Sequence, residues 1–185
     1  MIRPRSGGFS YCEADLAQML HDIDMARDLG LAGVVFGALT DEGALDSHVL
    51  QRLSRHAAGL DLTLHRAFDC CGPDFDRAVD TAIELGFDRV LTSGGENTAL
   101  EGLAALERIF AKAGTRITIM PGSGVSADNV STIATRLPVR EIHASCSPAF
   151  PVSAAAENRL GFATEHARQT DAVKVRALKA ALAAV

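Results

Sequence analysis

Cysteine, basic charge and long apolar runs are all scarce in this sequence, and each scarcity removes a class of protein. Four cysteines (Cys12, Cys70, Cys71 and Cys146) in 185 residues are too few for a disulfide framework and point to reduced thiols in a cytosolic protein. Lys and Arg number 18 against 23 Asp and Glu, a net charge of −5 with no basic cluster. A protein that neutralises nucleic-acid phosphates shows the opposite balance, so no nucleic-acid partner is expected. No apolar run reaches the ~18 residues of a membrane span, and the opening MIRPRSGG has no apolar signal core, so no membrane partner is expected either. Linkers, low-complexity tracts and composition breaks are missing too, and residues 1–185 read as one domain.

What is present is an alternation. Short β-branched runs (Met1–Arg3, Gly33–Gly37, Leu62–His65, Arg89–Thr92, Ile117–Met120 and Glu141–His143) alternate with segments of helical period at 13–29, 46–58, 74–85, 97–113, 126–136 and 167–183. Ser10 with Glu13 has the form of a capping box, and Asp46, Asp74 and Ser126 stand at expected N-caps. Gly30, Gly59, Gly86 and Gly114 follow the helical stretches as C-terminal stops. In the first helix Leu16, Met19, Leu20, Ile23 and Leu29 share one face, as in a layer packed on a sheet. The strands carry few polar residues, as strands covered on both faces do.

Consecutive βα units with a parallel sheet follow from this pattern. The strand starts recur about every 28 residues, the unit length of a (β/α)8 barrel, whose eight units need about 200–250 residues. Six units are present. The fold is therefore either an open doubly wound sheet or an incomplete TIM barrel, and the strand-like Ile2-Arg3-Pro4-Arg5 at the very start favours the barrel. Residues 144–165 have no strong period and read as a long loop.

Ligands of such folds bind at the carboxyl ends of the strands. That edge collects Arg3, Arg5, His65, Arg66, Asp69, Ser93, Gly122, Gly124, His143 and Ser145, whereas the opposite edge carries only Asp61, Asp88, Arg116 and Arg140. Glycine-rich turns such as Gly122-Ser123-Gly124 present backbone amides to a phosphate or carboxylate, and Arg3, Arg5 and Arg66 add bidentate donors. A small anionic ligand is the expected partner. His65 and Asp69 are the candidate acid and base, with Asp69 either orienting His65 or neutralising Arg66. Cys70, Cys71 and Cys146, near His65 and His143, are the candidate soft ligands for Cu(I) or Zn(II), without a CxxC or HxxxH spacing behind them.

The strings Ile2-Arg3-Pro4-Arg5-Ser6-Gly7-Gly8-Phe9, Leu64-His65-Arg66-Ala67-Phe68-Asp69, Arg89-Val90-Leu91-Thr92-Ser93-Gly94 and Glu141-Ile142-His143-Ala144-Ser145 resemble the CutC family, from Met1 to about Ser147. The resemblance implies a cytoplasmic (β/α)8 barrel linked to copper homeostasis and Cu(I) binding. It also aligns this start with the family's third strand, leaving strands 3–8. The two earlier units, which in the family carry an acidic residue and cysteines proposed as copper ligands, are then missing. Open edges on such a barrel predict a homo-oligomer. Two functions stay open: a copper-binding protein of this family, or a barrel enzyme acting on a phosphorylated or carboxylated small metabolite. A fragment without independent activity is the third possibility.

Overall fold

The computed structural model describes residues 1–151, 155–162 and 166–184. Four of the predicted strands form one parallel sheet in sequential order: β1 (Gly33–Phe36), β2 (Asp61–Leu64), β3 (Arg89–Thr92) and β4 (Thr118–Pro121). Val34 pairs with Leu62, Leu64 with Val90, and Val90 with Ile119. The order never reverses. A doubly wound sheet needs a switch point and this sheet has none, so the singly wound alternative holds.

The outer two predicted strands are extended segments rather than regular strands. Ile2 N–H donates to Val35 O at 2.8 Å, and His143 N–H to Pro121 O at 2.9 Å. Among the described residues each has a backbone partner on one side, so one backbone bond replaces a ladder. The Arg89 guanidinium pins the second segment by pairing with Glu141 at 2.8 Å. On the amino-terminal edge Asp88 is more than a solvating charge: its carboxylate accepts the Leu62 amide at 2.7 Å.

Helices α1 (Glu13–Asp28), α2 (Ser47–His56), α3 (Phe75–Glu84), α4 (Leu103–Ala113), α5 (Val130–Arg136), α6 (Ala155–Arg159) and α7 (Ala172–Ala183) complete the order with a 3-10 turn, Arg66–Cys71. Leu16, Met19 and Ile23 of α1 are buried as expected, but Leu29 is 71% exposed because the helix stops before it. The central strands β2 and β3 are buried along three consecutive residues, while β1 and β4 alternate, so double-sided cover reaches only the middle of the sheet. One hydrophobic cluster joins α1, α2 and α3 to the sheet through Met19, Leu50, Leu64 and Val79. A second gathers Leu106, Val130, Ile133 and Leu178 around α4, α5 and α7.

The caps depart in part from expectation. Asp46 accepts the Val49 amide at 3.0 Å as predicted. The first helix instead starts two residues after Ser10's expected role, with the Asp15 carboxylate accepting the Cys12 amide, while Ser10 bonds Asp41. Ser126 lies ahead of α5, whose N-cap is Asn129. Gly30, Gly59, Gly86 and Gly114 all take positive φ. The predicted loop, 144–165, contains α6 and β5 (Ala149–Pro151), which pairs antiparallel with β6 (His166–Arg168) just beyond it; β6 takes the first residues of the helix predicted at 167–183, which starts at Ala172 instead, and residues 152–154 and 163–165 lie outside the described residues. Short three-residue strands leave too little periodicity to be read in a sequence. Among the described residues no helix is long and apolar enough to cross a membrane.

Candidate functional site

The chain leaves β2 through His65 straight into the 3-10 turn, and this turn places three of the nominated residues. His65 is 3% exposed and caps the turn, its Nδ1 accepting the Ala67 amide at 3.2 Å. Burial is the main cause holding its pKa down to about 4, so the ring is neutral at physiological pH. A histidine poised near neutrality was expected here; the surrounding apolar core removes that property.

Asp69, one turn on, reaches the end of β3. Its carboxylate accepts the Thr92 hydroxyl at 2.5 Å, the Ser93 amide at 3.0 Å and the Gly95 amide at 3.1 Å. It also accepts Arg66 Nε at 2.7 Å. Four donors occupy the oxygens, so Asp69 is a cross-link that orients Arg66, not a free general base. Arg66 in turn donates through Nη2 to Ser93 Oγ at 2.6 Å and Glu96 O at 3.0 Å. Its Nη1 has no hydrogen-bond partner among the described residues.

That guanidinium borders a cavity of about 770 Å³ at the carboxyl ends of β3 and β4, a size that suits a small metabolite. Gly124, His143, Ser145 and Cys146 line it as well. The loop after β4 lines it from Ser123 to Asp128. Ser123 and Gly124 take φ of 77° and 67°, and Cys146 takes 47°; Ser123 and Cys146 are the two non-glycine residues with positive φ among those described. A Cβ on Gly124 would lie 2.7 Å from Thr98 Cγ2, so glycine is required there by space as well as by angle. The amides of Ser123, Gly124 and Val125 donate to no acceptor among the described residues. Consecutive free amides in a left-handed turn form an anion-binding concavity.

Two lining cations were not legible in the sequence. Arg168 arrives on β6 and Lys174 on the first turn of α7. Both lie in the segment read as one helix, 167–183, of which Arg168 falls on the ribbon; Asp171, which caps α7 by accepting the Val173 amide at 2.7 Å, is the local signal for where that turn begins. With Arg66 they outnumber Asp128, the one lining carboxylate among the described residues.

Other nominated residues stand elsewhere. Gly122 donates its amide to Thr92 O at 2.9 Å and packs against Leu91 and His143, so its amide is closed to an anion. Arg5 is engaged by Asp15 at 3.0 Å and by Ser10 O at 2.5 Å. Ser93 is fully buried behind Arg66 and supports it. The cysteines do not converge. Cys70 is exposed, Cys71 is buried beneath the 3-10 turn with its thiol pushed up to about 11 by burial, and Cys146 packs on the second cluster. A thiol so hard to ionise is a poor metal ligand. Among the described residues no three His, Cys, Asp or Glu side chains come close enough together to hold a metal ion. The Cys70–Cys71–Cys146 set therefore does not fit a copper ion as a shared centre.

Comparison with known proteins bears on the whole chain. The profile of the CutC family matches residues 1–147. The family protein CutC of Sinorhizobium medicae is 51% identical over 185 residues, all of this chain and 75% of that protein. Its counterpart in Rhizobium meliloti is 50% identical over 98% of this chain and 74% of its own length. A crystal structure of CutC from Streptococcus agalactiae, named provisionally for copper homeostasis, superposes with a TM-score of 0.74 at 34% identity, covering 77% of this chain and 69% of that one. A structure described as native KDPGal, 15% identical with a TM-score of 0.50, shares the fold alone. The α/β architecture, the parallel four-stranded sheet and the match along 147 residues agree: this chain belongs to the CutC family.

Proposed function

We propose that this chain is a cytoplasmic binding protein for a small phosphorylated or carboxylated metabolite, built as an incomplete (β/α)8 barrel of six parallel βα units. The sequential sheet with an extended segment on each side supports the six-unit reading. The observation that carries the ligand class is the run of three undonated amides, Ser123 to Val125, in the lining of a cavity bordered by Arg66, Arg168 and Lys174. Amides and cations together favour an oxyanion and disfavour a cation. Neither His65 nor Asp69 lines this cavity, so the groups facing the ligand bind and orient it rather than supply the acid–base pair expected from the sequence.

Titration calorimetry with inorganic phosphate and with succinate tests this. Saturable binding of at least one is expected, weakened about tenfold in Lys174→Ala, the worth of one charge-assisted contact. Absence of binding by both ions overturns the reading.

The family's link to copper homeostasis supports a second reading, with Cu(I) as cargo. His143 and Cys146 on the same cavity wall favour it, since a thiolate and an imidazole suit that soft ion. Under it, Cys146→Ser abolishes stoichiometric Cu(I) uptake in competition with a chromogenic chelator; uptake that survives the substitution leaves only the anion.

A further inference from the structure

A second group of polar side chains, none of them lining the cavity, presents unpaired hydrogen-bond donors around one guanidinium. Its centre is His65. Gly37, at the end of β1, has no side chain, and a Cβ there would lie 2.6 Å from His65 Cε1 and Nδ1. The imidazole therefore leans across β1 toward Phe9, with ring centroids 4.9 Å apart. Arg3 lies over the same Phe9 ring, its guanidinium carbon 4.7 Å from the centroid.

Because Nδ1 accepts the Ala67 amide, the single proton of the neutral ring sits on Nε2. That Nε2 is buried, has no hydrogen-bond partner, and belongs to a side chain 97% buried by the residue's 3% exposure. The Tyr11 hydroxyl is likewise buried and unpartnered. Burial raises its pKa, so it too keeps its proton. The Arg3 guanidinium lies beside that hydroxyl, toward its oxygen, which leaves the Tyr11 proton itself unpaired, and its charge also reaches His65. Arg3 Nη2 donates to Gly7 O at 2.7 Å. A buried donor left unpaired costs about 1–3 kcal/mol. Two around one exposed guanidinium call for an acceptor that also carries negative charge.

We infer that Arg3, Tyr11 and His65 form a second binding position, separate from the Arg66 cavity, for the oxyanion group of a small acid. Arg3 supplies the charge and the exposed entrance. Tyr11 and the His65 Nε2–H supply neutral, buried donors. The guanidinium charge and the His65 Nε2–H favour an anion, and a cation would meet the Arg3 charge there. The histidine acts as a fixed donor and takes no part in proton transfer.

The test uses the full chain labelled with 15N, with the His65 ring resonances assigned by their loss in His65→Gln. Sodium formate and inorganic phosphate are titrated separately at constant ionic strength. A saturable shift of the His65 Nε2 resonance with either ion is expected; formate alone identifies a carboxylate as the ligand group, phosphate alone a phosphate. The affinity falls about tenfold in Arg3→Gln, as for loss of a charged contact, and by less in Tyr11→Phe, which removes one oxygen and leaves the fold intact. The response persists in Lys174→Ala, where the cavity's own binding is weakened, so the two positions fail independently. Two results overturn the inference. One is a His65 resonance that responds to neither ion, meaning water alone satisfies it; the other is equal shifts in the parent, Arg3→Gln and Tyr11→Phe.

Discussion

His65 shows how one residue's surroundings override its usual chemistry. In the unfolded chain its pKa is near 6.5, while in the fold burial holds it to about 4. Between these values the unfolded state binds more protons, so stability falls as pH drops through the window and is flat above it. Urea unfolding should show a loss of about 2 kcal/mol from this residue between about pH 7.5 and pH 5. In His65→Asn that slope flattens, though the variant is less stable throughout; an unchanged slope would show the ring charged in the native state. Asp69 is the complementary case. In the sequence it reads either as a reactive partner of His65 or as the carboxylate neutralising Arg66; the ion pair with Arg66 and the donors from Thr92, Ser93 and Gly95 make it a brace.

At the scale of elements, the site depends on how closely α4 docks on the loop after β3. Gly102, the residue before α4, lies so near this loop that a Cβ would sit 1.8 Å from Ser93 O. Ser93 in turn holds Arg66. Gly102→Ala should therefore cost about 1–3 kcal/mol in urea unfolding, as overpacking against backbone does, and should weaken anion binding through displacement of Arg66. Gly8→Ala, where a Cβ meets nothing within 4 Å, is the matched control and should change neither. The late start of α4, at Leu103 rather than near residue 97, belongs to the same contact. Residues 94–102 form turns that seat the helix, with the Glu101 carboxylate accepting the Thr98 amide at 3.0 Å.

For the whole molecule the open question of assembly is set by its edges. The Met1–Arg3 and Glu141–His143 segments each make one backbone bond inward, and unpaired parallel edges invite another chain. Phe162 at 81% and Leu160 at 56% exposure add apolar surface near the β5–β6 ribbon. A homodimer is therefore proposed, and light scattering on the purified chain should give twice the 19.5 kDa monomer mass. A monodisperse monomer across the accessible concentration range would dismiss it.

The linear order of residues determined the alternation of strand and helix, the parallel direction, the positions of four strands and the glycine stops, because each rests on local periodicity and spacing. It also brought His65, Arg66, Gly124, His143 and Cys146 to one edge of the sheet. Which of these face a ligand was decided in three dimensions. Asp69 is enclosed by donors from β3, Gly122 spends its amide on Thr92, and His65 leans over Gly37, all through contacts between distant parts of the chain. Arg168 and Lys174 reach the cavity only because a ribbon and a helix fold back over it. Local pattern fixes where a side chain starts; packing against remote neighbours fixes what it touches, and touch determines its chemistry.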